Sequence, residues 1–143
     1  MNLKEILKNV KSTPDYCYVE FEDVNDSNLL GNNALHCVVT WGEIELVETL
    51  LKNGVDVNKQ GELGFTPLHC AIEHKHHEIV ELLLQHGADP QIRSHGENAI
   101  SLASLLEDEI AIRVIKSSKK EWRSEEDRRL DSHIEAMKLW ITK

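Results

Sequence analysis

The sequence predicts an all-α solenoid, a stack in which one helical unit packs against copies of itself. The first observation is a segment that occurs twice, displaced by 33 residues. The matching pieces are Leu35-His36-Cys37 with Leu68-His69-Cys70, Val47-Glu48 with Val80-Glu81, Leu50-Leu51 with Leu83-Leu84, and Gly54-Val55-Asp56 with Gly87-Ala88-Asp89. A fixed period of this length indicates stacked supersecondary units, which present an extended surface and usually bind another macromolecule.

The second observation is the helical spacing of apolar residues. Four of them in the second copy follow the i, i+1, i+4, i+5 pattern of a buried helical stripe, namely Ile79, Val80, Leu83 and Leu84. An opening helix is predicted near the N-terminus by residues spaced i, i+3, i+4 and i+7, which are Leu3, Ile6, Leu7 and Val10.

Two interpretations remain open for residues 15–22. The repeat register and Pro14 at a helix start favour a helix, which we prefer. An extended segment is favoured by the aromatic and β-branched residues Tyr16, Tyr18, Val19 and Phe21. Because Asp23-Val24-Asn25 matches Asp56-Val57-Asn58 at the same offset, residues 1–30 are expected to form a degenerate first repeat that caps the stack.

The second copy resembles the signature of the ankyrin-repeat family. Gly64-Phe65-Thr66-Pro67-Leu68-His69-Cys70-Ala71 contains its core, Thr-Pro-Leu-His-x-Ala at a 33-residue period. The first copy departs from this core at Asn33-Ala34, and a third copy at Gly96-Glu97-Asn98-Ala99 has Ser101 in place of the histidine. The resemblance implies an ankyrin-repeat solenoid of three to four helix-turn-helix repeats, with repeats at 31–63 and 64–95 and a degenerate repeat at 96–116.

The residues of the signature have physical roles. Thr66 is placed to cap the N-terminus of a helix, and Pro67 then occupies its first position, where a missing N–H costs nothing. Gly87 is placed as the left-handed residue that ends the second helix. In the family the signature histidine hydrogen-bonds to backbone of an adjacent repeat, so the resemblance implies structural roles for His36 and His69.

Residues 117–143 are expected to be a connector and a C-terminal capping helix. Ser124-Glu125-Glu126-Asp127 resembles a capping box, and a helical stripe follows at Leu130, Ile134, Met137 and Ile141. The alternative is that this helix binds a partner.

Cysteine usage and hydropathy indicate a cytoplasmic protein. Cys37 and Cys70 occupy equivalent positions in repeats that stack roughly 8–10 Å apart, whereas the Cα atoms of a disulfide lie about 4.4–6.8 Å apart. Together with Cys17 they are predicted to be buried thiols in a reducing compartment. No apolar run approaches the roughly 20 residues of a membrane helix, and Glu5 argues against a secretory signal.

The histidine-rich stretch at residues 69–77 has metal-ligand residue types, but the sequence favours no metal site. In the family register these residues span one helix and its turn, while a tetrahedral site needs ligands about 2.0–2.3 Å from one ion. The positive charge of Lys75, within this stretch, would repel a metal cation. No phosphate-binding loop is present. We therefore expect no cofactor and no enzymatic activity; a metal- or thiol-dependent enzyme is the remote alternative.

The resemblance implies that a groove is lined by residues beside the hairpin glycines and at the end of each first helix. The predicted partner-binding residues are Leu29, Leu30, Asn32, Thr40, Trp41, Glu62, Leu63, Phe65, Glu73, His74, His95 and Glu97, with Ser94, Leu105 and Leu106 at related positions. Apolar residues rimmed by carboxylates are typical of an interface core. The structural alternative places Leu29 and Leu30 under the N-terminal cap, and Leu105 and Leu106 under the last helix.

Charge indicates the chemistry of the partner. A net charge of −9, from 25 acidic and 16 basic residues, disfavours nucleic acid and anionic membranes, which require basic patches. We therefore expect a monomeric, non-catalytic module that binds a basic protein. A short, acidic protein of this kind resembles the immunity proteins that bacteria encode beside secreted toxins. An adaptor or scaffold subunit that binds a cellular or host protein is the alternative.

Overall fold

The computed structural model describes residues 2–118, and this part of the chain confirms the all-α prediction. Its helices are α1 (Leu3–Lys11), α2 (Ala34–Trp41), α3 (Ile44–Lys52), α4 (Pro67–Glu73), α5 (His77–Gln85), α6 (Ala99–Leu105) and α7 (Glu109–Ser117). Between residues 2 and 118 the extended pairing is limited to two isolated bridges, Ser27 with Asn33 and Ser94 with Glu97.

The helices form two stacked layers. α2 packs on α4 and α4 on α6, while α3 packs on α5 and α5 on α7. Each first helix also packs against its own second helix, and α1 covers α2 and α3 at the N-terminal end. The core lies between the layers and is built from fully buried side chains that include Leu35, Leu50, Leu68, Ile72, Leu83 and Ile115. The predicted stripe of α5 and the Ile6 and Val10 positions of α1 are buried as expected.

Each first helix begins at a side chain that accepts hydrogen bonds from the backbone of its first turn. Thr66 accepts from the His69 N–H and Pro67 follows it, which confirms the predicted cap. Asn33 and Asn98 cap α2 and α6 in the same way. A capping side chain replaces hydrogen bonds that the first N–H groups cannot make within the helix. Gly87 has a φ of 93° after α5, as predicted for a left-handed terminator.

The signature histidines join successive repeats. His36 Nε2 lies 2.9 Å from the Phe65 carbonyl oxygen, and His69 Nε2 lies 3.0 Å from the Glu97 carbonyl oxygen. Nδ1 of each ring bonds the residue that caps its own helix, Asn33 or Thr66. The structural role that the resemblance implies for both histidines is confirmed.

Asparagines make a second set of contacts between repeats. The Asn25 side chain accepts from the Asp56 N–H at 2.5 Å and donates to the Gly54 carbonyl at 3.2 Å. Asn58 makes the corresponding bonds to Asp89 and Gly87. The match between residues 23–25 and 56–58 therefore reflects one docking contact used twice.

The preferred helix over residues 15–22 is wrong, and residues 14–18 do not form the extended alternative either. The chain instead makes consecutive turns, with Tyr16 N bonded to the Thr13 carbonyl and Val19 N to the Tyr16 carbonyl. The conformation is fixed by side chains: Tyr16 and Val19 are buried, and the Tyr16 hydroxyl donates to the Asn33 carbonyl at 2.9 Å. This long-range anchor outweighs the helix start signal of Pro14.

The cysteine prediction is wrong for Cys17 and overstated for the other two. All three thiols are free; Cys17 is exposed, and Cys37 and Cys70 are half-buried. The turn that buries Tyr16 places Cys17 toward solvent, where its thiol contacts the Pro14 carbonyl.

The predictions for residues 119–143, the capping box and the final helical stripe among them, lie outside the described residues. Leu105 is exposed and Leu106 half-buried in the part of the chain that is described.

Candidate functional site

A hollow of about 500 Å³ opens beside the first two full helix pairs. Its walls come from the turn at 13–16, from the C-terminal halves of α2 and α4, and from the loops that precede α2 and α4. The lining residues are Thr13, Asp15, Tyr16, Asn32, His36, Cys37, Thr40, Trp41, Glu62, Leu63, Phe65, Cys70, Glu73 and His74. We call this feature the hollow.

The repeat period itself builds two of the walls. Cys37, Thr40 and Trp41 are spaced i, i+3, i+4 and therefore share one face of α2. A displacement of 33 residues along the chain gives Cys70, Glu73 and His74 on and just after α4. Because α2 and α4 stack side by side, the two faces form adjacent rows of the same surface.

The hairpin loops supply the third wall. The Asn32 side-chain oxygen accepts from the Glu62 N–H at 2.8 Å, so the two loops are fixed to each other. Leu63 has a φ of 59°, a left-handed conformation that is uncommon for a leucine. The Ser94 hydroxyl donates to its carbonyl and fixes this turn to the next loop. The loop geometry leaves the Leu63 side chain exposed at the edge of the hollow.

Trp41 and Phe65 differ in how far they are available to a partner. The Trp41 side chain is 39% exposed at the end of α2. Phe65 is half-buried, and its ring stacks on His69 with centroids 5.5 Å apart. Trp41 is therefore the aromatic surface of the hollow, whereas Phe65 also supports the histidine that joins the second and third repeats.

The hollow is acidic. Its acidic side chains are Asp15, Glu62 and Glu73, and no lysine or arginine among residues 2–118 lines it. Burial, together with the charges of Glu73 and Glu62, raises the pKa of the Cys70 thiol to about 12. Burial and the charge of Asp15 raise that of Cys37 to about 11. The carboxylates therefore contribute a negative potential at both thiols.

The raised pKa values also decide what the thiols can do. A thiolate is the nucleophilic form of cysteine, and reactive cysteines have lowered pKa values. Cys37 and Cys70 remain protonated near neutral pH, so they act as small, weakly polar wall groups rather than as nucleophiles.

Charge is distributed unevenly along the chain. Residues 1–118 contain 19 of the 25 acidic residues but only 9 of the 16 basic ones. The negative balance thus belongs to the helical stack that carries the hollow.

Eight of the twelve predicted site residues line the hollow together: Asn32, Thr40, Trp41, Glu62, Leu63, Phe65, Glu73 and His74. The structure does not bring the other four into it. Leu29 and Leu30 are exposed by 87% and 50% on the first hairpin, so the alternative that they tuck under the N-terminal cap is wrong. His95 and Glu97 belong to the third hairpin, where the Glu97 carbonyl accepts the His69 hydrogen bond.

Sequence reasoning missed six lining residues: Thr13, Asp15, Tyr16, His36, Cys37 and Cys70. The two cysteines carried a usable signal, because they lie three and four residues before predicted groove positions on the same helix face. The turn residues carried no comparable signal, since a helix was expected at 15–22.

The histidine-rich stretch does not converge on one point. The rings of His74 and His76 stack with centroids 6.0 Å apart. His77 turns to a different partner, and its Nε2 lies 2.7 Å from Asp108 Oδ2 in the next repeat. Among residues 2–118, no group of three or more histidine, cysteine or acidic side chains is arranged to hold a metal ion. Over the same residues, no helix has the length and apolar character needed to cross a membrane.

A family model described as ankyrin repeats, in three copies, matches residues 3–94. No curated protein matches the chain.

Proposed function

Because the chain belongs to the ankyrin-repeat family, whose repeats are protein-protein interaction modules, we propose that a basic protein partner binds in the hollow. The observation that carries the proposal is the composition of the hollow: within residues 2–118, an exposed tryptophan and an exposed leucine lie beside three carboxylates, and no lysine or arginine lines the hollow. Large aromatic side chains in partly desolvated positions commonly dominate binding energy.

The acidic rim supports the choice of partner. Opposite charge at a contact surface speeds the encounter of two proteins and orients them, while charge of the same sign disfavours wrong partners. A net charge of −9 and an acidic hollow disfavour nucleic acid and anionic lipid as ligands, since both carry dense negative charge.

The proposed role is binding rather than catalysis. The family is generally non-enzymatic, and the thiols of the hollow have raised pKa values, which makes them poor nucleophiles. Free cysteines fit a reducing compartment such as the cytoplasm. We expect the module to be monomeric until its partner binds.

Neutralisation of a basic toxin is one form of this proposal, and service as an adaptor subunit is the other. Both use the same surface, but they predict different gene neighbourhoods. A toxin-like reading frame beside this gene, whose product binds the purified protein, would support the immunity role. A partner encoded elsewhere would support the adaptor role.

The test compares partner binding by two single variants. Trp41→Ala should weaken affinity by roughly 2 kcal/mol or more, as truncation of an aromatic hot spot does. Ile110→Ala removes another exposed large apolar side chain, on α7 and outside the hollow, and should bind like the parent protein. Circular dichroism should show both variants folded. Equal affinity of both variants, or loss through Ile110→Ala alone, would contradict the proposal.

A further inference from the structure

The hydroxyl donors that line the hollow are already used inside the protein. The Tyr16 hydroxyl donates to the Asn33 carbonyl at 2.9 Å, and the Thr40 hydroxyl donates to the His36 carbonyl at 2.9 Å. The Thr13 hydroxyl donates to the Val10 carbonyl at 2.7 Å. Each hydroxyl has one hydrogen to give, so none of these groups can also donate to a ligand.

The histidines of the hollow are committed in the same way. Both ring nitrogens of His36 are bonded, Nδ1 to Asn33 and Nε2 to the Phe65 carbonyl. His74 Nδ1 lies 2.9 Å from the Cys70 carbonyl oxygen and therefore donates to it. In the neutral ring this leaves His74 Nε2 as an acceptor. The side-chain donors that remain are the Asn32 amide, the Trp41 indole N–H and the weakly donating thiols of Cys37 and Cys70.

Within the part of the chain that the structure describes, the carboxylates of the hollow are acceptors without partners. The ion pairs between residues 2 and 118 join Lys11 to Glu20 and His77 to Asp108, and neither lies in the hollow. The side-chain oxygens of Asp15, Glu62 and Glu73 make no hydrogen bond within the same residues. All three residues are exposed, so water hydrates their carboxylates until a ligand replaces it.

A ligand that fills the hollow must therefore bring several donors and a positive charge, together with an apolar portion. Arginine has five N–H donors on a planar group, and that group stacks on aromatic rings and pairs with carboxylates through two parallel hydrogen bonds. Lysine offers a compact, strongly hydrated charge that matches the carboxylates, but it lies over aromatic rings less often than arginine and has no planar group to stack on Trp41.

We propose that the hollow is an arginine-binding site, in which an arginine side chain of the partner lies against Trp41 and donates to the carboxylates of Asp15, Glu62 and Glu73. The inference rests on the proposed function, because it names the chemical group through which a basic partner is recognised. A volume of about 500 Å³ lies within the roughly 300–1,000 Å³ of ligand pockets. It therefore accommodates a side chain with its flanking peptide backbone.

The experiment uses the full-length protein and three blocked peptides, acetyl-Gly-X-Gly-amide with X as arginine, citrulline or lysine. Citrulline keeps the planar shape of arginine but has no charge. The indole N–H resonance of Trp41, identified in nitrogen-15 spectra by its loss in Trp41→Phe, reports binding. We expect the arginine peptide to shift this resonance saturably, with a Kd at least about tenfold lower than either other peptide.

A matched pair of double variants tests which carboxylates act. Glu62→Gln with Glu73→Gln should raise the Kd for the arginine peptide about tenfold, because charge-assisted hydrogen bonds are lost. Glu78→Gln with Glu81→Gln removes the same charge from exposed positions on α5 and should leave the Kd unchanged.

Equal binding of citrulline or lysine would overturn the inference. So would the absence of any shift, or an equal loss in the α5 double variant. These outcomes leave the proposed function separable from the inference. If Trp41→Ala still loses the protein partner while Ile110→Ala retains it, the hollow remains the partner site and only the arginine assignment fails.

Discussion

At the scale of single residues, His36 and His69 hold neighbouring repeats in register. Each ring bonds a capping residue on one side and a carbonyl of the following loop on the other. Both rings are buried. A buried backbone group that loses its hydrogen-bond partner is destabilising, because its desolvation is no longer compensated. Removing either histidine should therefore lower the free energy of unfolding.

We predict that His69→Ala lowers the free energy of unfolding by roughly 1–3 kcal/mol, because the Glu97 carbonyl and the Thr66 backbone lose a partner. His86→Ala, at an exposed position just after α5, should change it little. Urea unfolding followed by circular dichroism measures both values. A His69→Ala protein as stable as the parent would show that the ring is not needed to join the repeats.

The same histidines should make stability depend on pH. Burial lowers the pKa of His36 and of His69 below the usual value, despite hydrogen bonds to the Phe65 and Glu97 carbonyls that act in the opposite direction. The folded state therefore binds fewer protons at these sites than the unfolded state does. Their contribution is complete above the unfolded pKa of about 6.5, and it is lost as pH falls toward the lowered folded values.

We expect the free energy of unfolding to fall between pH 7.5 and pH 5.5. The fall should be smaller in a double variant, His36→Asn with His69→Asn, provided that urea titration at pH 7.5 finds this variant folded. The comparison isolates the two buried rings from the other histidines. If the free energy of unfolding changed by the same amount with pH in both proteins, His36 and His69 would not be the source of the pH dependence.

Sequence reasoning predicted the roles of these residues because the signature ties each role to a residue type. It failed for Cys17, whose exposure depends on a turn held by the Tyr16 hydroxyl bond to Asn33, seventeen residues away. A contact at that distance along the chain has no local pattern.

At the scale of elements, the link between the first and second helix of each repeat needs a residue with positive φ. The first repeat has Gly42 there, with a φ of 76°. The corresponding positions in the next two repeats hold Lys75 and Glu107, with φ of 58° and 55°. Left-handed backbone costs an ordinary residue roughly 1–2 kcal/mol, whereas glycine adopts it freely.

We therefore predict that Glu107→Gly stabilises the protein, by up to about 1 kcal/mol after the extra entropy of glycine in the unfolded chain is deducted. Glu48→Gly, at an exposed position inside α3, should destabilise it by about 1 kcal/mol. Thermal unfolding of the two variants gives the comparison. Destabilisation by both substitutions would contradict the proposal that the left-handed backbone at Glu107 is strained.

The helices were predictable because their caps, apolar periods and terminators are local signals. α1 and α5 follow directly from the spacing of their buried residues. The conformation of residues 15–22 was not predictable, because a proline is compatible with the start of a helix and also with a turn. The burial of Tyr16 and Val19 favours the turn.

At the scale of the whole molecule, the stack places two rows of side chains and two hairpins around one acidic hollow. The period of 33 residues predicted this surface in outline, because equivalent positions of stacked repeats face the same way. It could not predict the wall made by Thr13, Asp15 and Tyr16, which belongs to no repeat signature. Nor could it separate Leu29 and Leu30 from the hollow, since hairpin positions look alike in sequence.

The position of the charges should govern how fast a partner binds. We predict that Glu62→Lys with Glu73→Lys slows association severalfold at low salt, whereas Glu78→Lys with Glu81→Lys, the same change of net charge on α5, slows it less. Raising ionic strength to physiological values, where the Debye length is about 8 Å, should reduce the difference in association rate between the two double variants. Stopped-flow association rates of the two double variants, each measured at low and at physiological ionic strength, provide the test. Equal effects of the two pairs would indicate only a general effect of net charge.

The central claim is that the partner occupies the hollow, and site-specific photo-crosslinking tests it most directly. A photoreactive amino acid is placed at Thr40, an exposed lining residue, or at Glu48, an exposed residue on α3 outside the hollow. We predict that the bound partner crosslinks efficiently from position 40 and not from position 48. Crosslinking from position 48 with none from position 40 would contradict the claim.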